Sequence, residues 1–200
     1  MKPRARVAAA ALMGVAGLVG CASTSTPARF HTLMPPVVEA APAARPAPAL
    51  RAEVMPVTLP VQVDVAPIVV RLPDDSMRAL EHERWIAPLA DEIRSALALR
   101  IDAALAAAPA TPTTAAPWRV ALEVQRFDST LGGAAGLQAL WSLQQAGGSV
   151  VLRCQVNDRE PVAAGAVALV SGHRSIVGRL GDAIGRAVRA AANGGTPACA

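Results

Sequence analysis

Tyrosine is absent from this 200-residue chain, lysine occurs once, at Lys2, and aromatic residues make up only 2% of the sequence. Charged residues are also scarce, at 17% against an average of about 25%. With few aromatic platforms and no basic run, nothing is built to stack on bases or track a phosphate backbone, so nucleic acid is not an expected partner. Long apolar runs are lacking, since only one stretch approaches spanning length, and this excludes a polytopic membrane protein. Known catalytic and metal signatures are missing too. There is no H-E-x-x-H, no C-x-x-C, no G-x-S-x-G, and no Lys-Ser/Thr after the glycine loop. Neither a metal nor a cofactor is expected. What the chain does have is apolar: 52% of residues are hydrophobic, too many for wholesale disorder. Much of that is alanine, so the core must be aliphatic and made of small side chains.

The formal charge of +4 is carried by the N-terminus. Lys2, Arg4 and Arg6 precede an apolar run of 13 residues, Val7 to Val19. That is short for a transmembrane helix and suits the apolar region of a signal peptide. The run ends Leu18-Val19-Gly20-Cys21, the pattern of a bacterial lipobox. The Cys21 thiol is the group that takes a diacylglyceryl chain, and the small Gly20 gives a signal peptidase access to the bond before it. Two or three acyl chains make an anchor stable where one is marginal. Three of the 19 basic residues and none of the 15 acidic ones precede Cys21, so the processed chain carries 16 against 15. The basicity is a targeting signal. Ala22, where an aspartate would favour retention in the inner membrane, directs the expectation to the periplasmic side of the outer membrane.

The expected organisation is a signal peptide over residues 1–20, a lipidated tether over 21–28, one globular domain over 29–192 and a frayed tail over 193–200. Nine of the 17 prolines lie between Pro27 and Pro67, and residues 35–53 read as an exposed Pro/Ala loop. Residues 29–33 suggest a first strand. Val57, Leu59, Val61, Val63 and Val65 alternate with Thr58, Pro60, Gln62 and Asp64, a strand pattern with an edge or bulge at Pro60. Residues 68–72 give another strand, with a turn at Pro73-Asp74-Asp75-Ser76. Leu89, Ile93, Leu97, Ile101 and Leu105 share one stripe of a helix over 88–107 that starts at Pro88 and has Asp91-Glu92 in its first turn. Alternation then predicts a meander near 118–125, 137–143 and 150–156. A second helix over 163–192 carries Val170, Val177, Leu180, Ile184 and Val188 on one face, with Gly178, Gly181 and Gly185 beside it. Those glycines suit a close approach, to the sheet in preference to another subunit. The predicted fold is α+β, a small mixed, largely antiparallel sheet of about five strands with two amphipathic helices packed on it.

Few residues invite chemistry. Cys154 alternates with core positions and reads as a buried thiol. Pairing with Cys199 in an oxidising periplasm is the alternative, which geometry decides. His173 shares a face with Leu180 and Ile184 and reads as a core histidine. Ser171 and Ser175 flank it, the only opening for a lipid-anchored hydrolase, although neighbours on a helix are not a triad. The segment from Arg71 to Leu89 gathers Arg71, Arg84 and Trp85. Two readings stand there: Trp85 plugs the helix start, or these three face a partner, Trp and Arg being common interface anchors.

Taken in order, Phe30-His31-Thr32-Leu33, Pro56-Val57-Thr58-Leu59-Pro60, Pro67-Ile68-Val69-Val70-Arg71, Arg84-Trp85-Ile86-Ala87-Pro88-Leu89, Val124-Gln125-Arg126-Phe127-Asp128 and the region of His173-Arg174-Ser175 resemble the ABC-type transport auxiliary lipoproteins. These include the PqiC (paraquat-inducible) membrane-integrity lipoproteins. Val63-Asp64-Val65-Ala66, Ala87 and the Phe30-His31 pair depart from the family pattern. The resemblance implies a non-enzymatic periplasmic lipoprotein held by lipid on Cys21. Its implied partners are an MCE-domain transport protein (PqiB-like) and the associated permease, and self-association into a homo-oligomeric ring is implied as well. A different envelope-assembly lipoprotein, one that chaperones an outer-membrane protein or binds peptidoglycan, is the alternative.

Overall fold

The computed structural model describes residues 26–36, 50–106 and 116–199. Its elements run β1 (Arg29–His31), β2 (Ala52–Val54), β3 (Pro67–Arg71), β4 (Met77–Trp85), α1 (Leu89–Ala106), β5 (Trp118–Ser129), β6 (Ala134–Gln145), β7 (Val150–Pro161) and α2 (Ala166–Ala192). They form an α+β fold, with the strands divided between a sheet of four, in the order β2-β5-β6-β7, and a sheet of three, in the order β1-β4-β3.

The four-stranded sheet grows from strict alternation. Trp118, Val120, Leu122 and Val124 point inward from β5, and their intervening neighbours are exposed. Pairing with β6 slips between Val124 and Arg126. This bulge leaves Gln125 and Arg126 both outside and returns Phe127 and Ser129 to the inner face. From β6, Leu137, Ala139, Trp141 and Leu143 meet them, all 4% exposed or less. The helices cover this inner face. In α1 the stripe Leu89, Ile93, Leu97, Ile101 and Leu105 is at most 2% exposed, and in α2 Val170, Val177, Leu180, Ile184 and Val188 are at most 4% exposed. At about 1.5–3 kcal/mol for each buried aliphatic side chain, these stripes are what hold the helices on the sheet.

Two of the α2 glycines serve the helix pair, not the sheet. A Cβ on Gly181 would lie 2.7 Å from Arg100 Cβ, and one on Gly185 would lie 2.7 Å from Ala104 Cβ. Both neighbours belong to α1, so the two backbones approach more closely than any side chain at these positions allows. By contrast, a Cβ on Gly178 would meet nothing.

The three-stranded sheet departs from the sequence expectation. The alternating run Val57–Val65 is not a strand. It makes one isolated bridge, Thr58 to Glu123, then turns where Val63 and Asp64 donate their N–H groups to Pro60 O. Of its five alternating apolar residues only Val63 is buried, while Val61 and Val65 are exposed. Pro60, in the middle of the run, lacks the ladder donor that a strand needs, and Pro56 lacks it just before. Conversely, β4 was not expected. Its pairing with β3 jumps from Pro67–Arg84 to Ile68–Leu80, an irregularity that breaks the period-two pattern. The predicted turn closes this hairpin, with Asp74 Oδ1 accepting from the N–H and Oγ of Ser76 and Asp75 at φ 64°. Inside the stretch read as a loop, residues 52–54 form β2, which adds in parallel to β5. Residues 37–49 of that loop lie outside the described residues, as do residues 1–20 of the expected signal peptide.

Candidate functional site

Three places on the fold bear on function: the segment that leads in from the expected anchor, the groove around Arg71, and a buried histidine beneath it. Gly20 and Cys21 lie outside the described residues, and the chain is described from Thr26 onward. From there it is fastened at once. Glu92, in the first turn of α1, accepts hydrogen bonds from Thr32 Oγ1 and from the Leu33 N–H, both at 2.7 Å. Arg174, on α2, donates to Thr32 O at 2.9 Å. Glu83, on β4, accepts from the Arg29 guanidinium and from His31 Nε2, the latter at 2.6 Å. Burial and the Arg29 charge push the His31 pKa below the usual imidazole value, so the neutral ring donates Nε2–H to the carboxylate. Leu33, which follows, is fully buried. Residues 29–34 thus form a strap bonded to three different elements and pinned by one core side chain. The acid at position 92 is legible in the sequence as a helix-start residue, but its second role, holding a strand that lies 59 residues earlier, is not.

The structure separates the residues singled out between 71 and 89. Trp85 is 4% exposed and stands edge-on to Phe127, with ring centroids 6.3 Å apart. It joins the two sheets as a core residue, and its indole is not presented to solvent. Arg71 and Arg84 lie at opposite ends of the β3–β4 hairpin, paired in register with Met77 and Pro67 respectively. Arg71 donates to Asp128 Oδ1 at 2.9 Å, and Arg126 reaches the other oxygen of the same carboxylate at 2.9 Å. That carboxylate raises the Arg71 pKa further. Around this cluster is an open groove of about 600 Å³, lined also by Gln138, Asn157 and Arg159. Its surface is polar and charged in both senses, suited to a polar partner surface and not to a lipid tail. Asp128 and its neighbours come from the bulged end of β5, a feature the alternation gives no sign of.

Beneath the groove lies His173. It is 1% exposed, stacked on Phe127 at 3.9 Å, and its Nε2 is 2.8 Å from Ser129 Oγ. Burial drives its pKa down to about 3, so the ring is neutral. The flanking serines do not reach it: Ser175 Oγ donates to Ser171 O instead. The serine that does, Ser129, is itself 1% exposed. A sealed pair without access to substrate cannot act as nucleophile and base, so this is a structural hydrogen bond. Neither Ser129 nor its pairing with His173, 44 residues away, is visible in local sequence.

Cys154 is not a free thiol. It is bonded to Cys199, with Cα atoms 5.5 Å apart. The tail expected to fray is therefore tied back to the middle of β7. Among the described residues no group of three metal-ligating side chains occurs, and no helix is long and apolar enough to cross a membrane.

Comparison with known proteins places this architecture. The family model for the ABC-type transport auxiliary lipoprotein component matches residues 31–185. The chain belongs to that family. The match begins within the strap and ends in α2, so it spans both sheets and both helices. This makes the chain an auxiliary lipoprotein component of an ABC-type transport system, a membrane-anchored envelope protein. The family is one of transport components and not of enzymes. Two solved structures share the fold. One, described only as an uncharacterized protein, has 15% identity and a TM-score of 0.63 and covers 80% of this chain and 98% of its own. The other, from Xanthomonas campestris, has 15% identity and a TM-score of 0.57, with coverage of 84% and 97%. No curated protein matches the sequence.

Proposed function

We propose that this auxiliary lipoprotein is cleaved between Gly20 and Cys21 and acylated on Cys21. Its domain stands on the periplasmic side of the outer membrane as a non-enzymatic part of an MCE-type lipid-transport and membrane-integrity system of the PqiC kind. The tether of residues 21–28 leads straight into the strap, and the strap supports this reading most directly. A segment fastened by Glu83, Glu92 and Arg174 fixes the point at which the tether leaves the domain, which suits a protein that bridges a membrane and a transporter. The Cys154–Cys199 disulfide fits the same oxidising compartment. The Arg71 groove, polar and of mixed charge, is the surface assigned to the MCE partner, whose associated permease completes the system. Assembly into a homo-oligomeric ring belongs to the same proposal.

Affinity capture of the lipidated protein tests it. An MCE-domain protein should be retained, and exchanging Arg71→Glu together with Arg159→Glu should reduce its recovery. Mass analysis should find acyl chains on Cys21. Retention of an outer-membrane barrel in place of the MCE protein would reassign the chain to outer-membrane assembly.

A further inference from the structure

We infer that the end of the three-stranded sheet carrying Phe30, Arg84 and Ile86 rests on the lipid surface, as a second, peripheral contact beside the acyl anchor. This rests on the reading that Cys21 is lipidated. Large apolar side chains are exposed there. Phe30 is 58% exposed, Ile86 59% and Val65 41%. The sheet topology brings these three together. β1 and β3 flank β4, Phe30 is paired in register with Arg84, and Ile86 follows two residues later, donating its N–H to His31 O. On the other side, Ala66, next to Val65, accepts the N–H of Trp85. An apolar row thus lies across the mouth of the sheet, where the chain enters from its anchor.

The length of the tether identifies what covers this row. Arg29 lies eight positions after Cys21, a reach of at most roughly 29 Å when fully extended. The strap then allows no further slack, because residues 29–34 are fixed to the body. The row is therefore held within one tether length of the lipidated cysteine. Charge agrees. Arg84, in the middle of the row, makes no ion pair among the described residues, and Arg29 keeps most of its side chain in solvent while touching Glu83. Apolar side chains with two arginines beside them suit an interface of acyl chains under anionic headgroups, although the exposed Asp64 adjoins Val65. The position also gives the strap a purpose: it carries Phe30 on its outer side while Glu83 and Glu92 grip its inner side.

The test uses the full lipidated protein in vesicles of phosphatidylethanolamine and phosphatidylglycerol doped with brominated phosphatidylcholine, a short-range quencher of indole fluorescence. Phe30→Trp, Ile86→Trp and, as a control on the far end of β7, Val151→Trp are compared. The native tryptophans, Trp85, Trp118 and Trp141, are at most 8% exposed and give a constant background. Phe30→Trp and Ile86→Trp should lose emission and shift to the blue on bromolipid vesicles, and Val151→Trp should do neither. Unquenched Phe30→Trp and Ile86→Trp in protein that carries acyl chains and floats with the vesicles would overturn the contact while leaving the anchor intact. A Phe30→Cys cross-link between two copies under the same conditions would overturn it in favour of a second copy. Protein that neither carries acyl chains nor floats would remove the anchor reading, and this inference with it.

Discussion

The body of the four-stranded sheet and the strap of the three-stranded sheet are held by different means. The four-stranded sheet and its helices meet through an aliphatic interface, with Leu97, Ile101, Leu143, Ile184 and Val188 all fully buried. The three-stranded sheet is short and irregular; Ile68, Val70 and Trp85 join it to the same core, but its first strand is fastened by charge, with Glu83, Glu92 and Arg174 gripping a strap of six residues. The first arrangement resists unfolding because every core contact is shared by many neighbours. The second fixes position, because a few directed bonds set where one segment lies but contribute little each.

Substitutions should expose this contrast. The largest loss is expected from Leu97→Ala, in the middle of the α1 stripe. Removing a fully buried leucine between two helices and a sheet costs about 2–5 kcal/mol, read as a lowered midpoint in urea with an unchanged slope. Next is Cys199→Ser. The disulfide closes a loop with a sequence separation of 45, and opening it costs about 2–4 kcal/mol on chain-entropy grounds. If Cys199→Ser left the midpoint unchanged, the tail would not be tied to β7 as described.

A third prediction concerns the joint between the regions, where Trp85, Phe127 and His173 meet. The folded pKa of His173 is about 3, against 6.5 when unfolded. Folded protein therefore refuses a proton that the unfolded chain accepts. Stability from this group is complete above pH 6.5 and falls as pH drops toward 3, by about 1.4 kcal/mol per pH unit. Between pH 6.5 and 5 the loss is about 2 kcal/mol. Replacing the pair by Ser129→Ala with His173→Phe should flatten that part of the profile in urea titrations at several pH values. An unchanged slope would mean that other groups carry it.

The same contrast explains what could be read from sequence. Both helices and the meander are legible because each follows one period, and burial acts on every repeat of it. The three-stranded sheet is not, because β4 is interrupted in register and β2 is only three residues long. The segment Val57–Val65 has the right alternation, yet after a single bridge from Thr58 to Glu123 it turns at Pro60 and forms no ladder. Trp85 shows the limit at single residues: its type suits an interface, but the T-shaped contact with Phe127 that buries it depends on a strand 42 positions away in the chain. The lipobox and the motif order, by contrast, need no three-dimensional information, which is why the family was recognisable when the strap was not.

The smallest global effect and the most local one are expected from Glu92→Ala. The carboxylate satisfies Thr32 Oγ1 and the buried Leu33 N–H, so its removal leaves a main-chain donor unpaired and costs about 1–2 kcal/mol. That is less than the core substitution, but it falls on one segment. Amide exchange should accelerate over residues 29–34 while β5, β6 and α2 keep their protection, because the aliphatic interface does not involve Glu92's oxygens. Glu92→Gln, which keeps one acceptor oxygen, should restore part of the protection. Uniform loss of protection across both regions would show that the strap and the core are one cooperative unit. Loss confined to the strap would show that the domain can release this segment without unfolding.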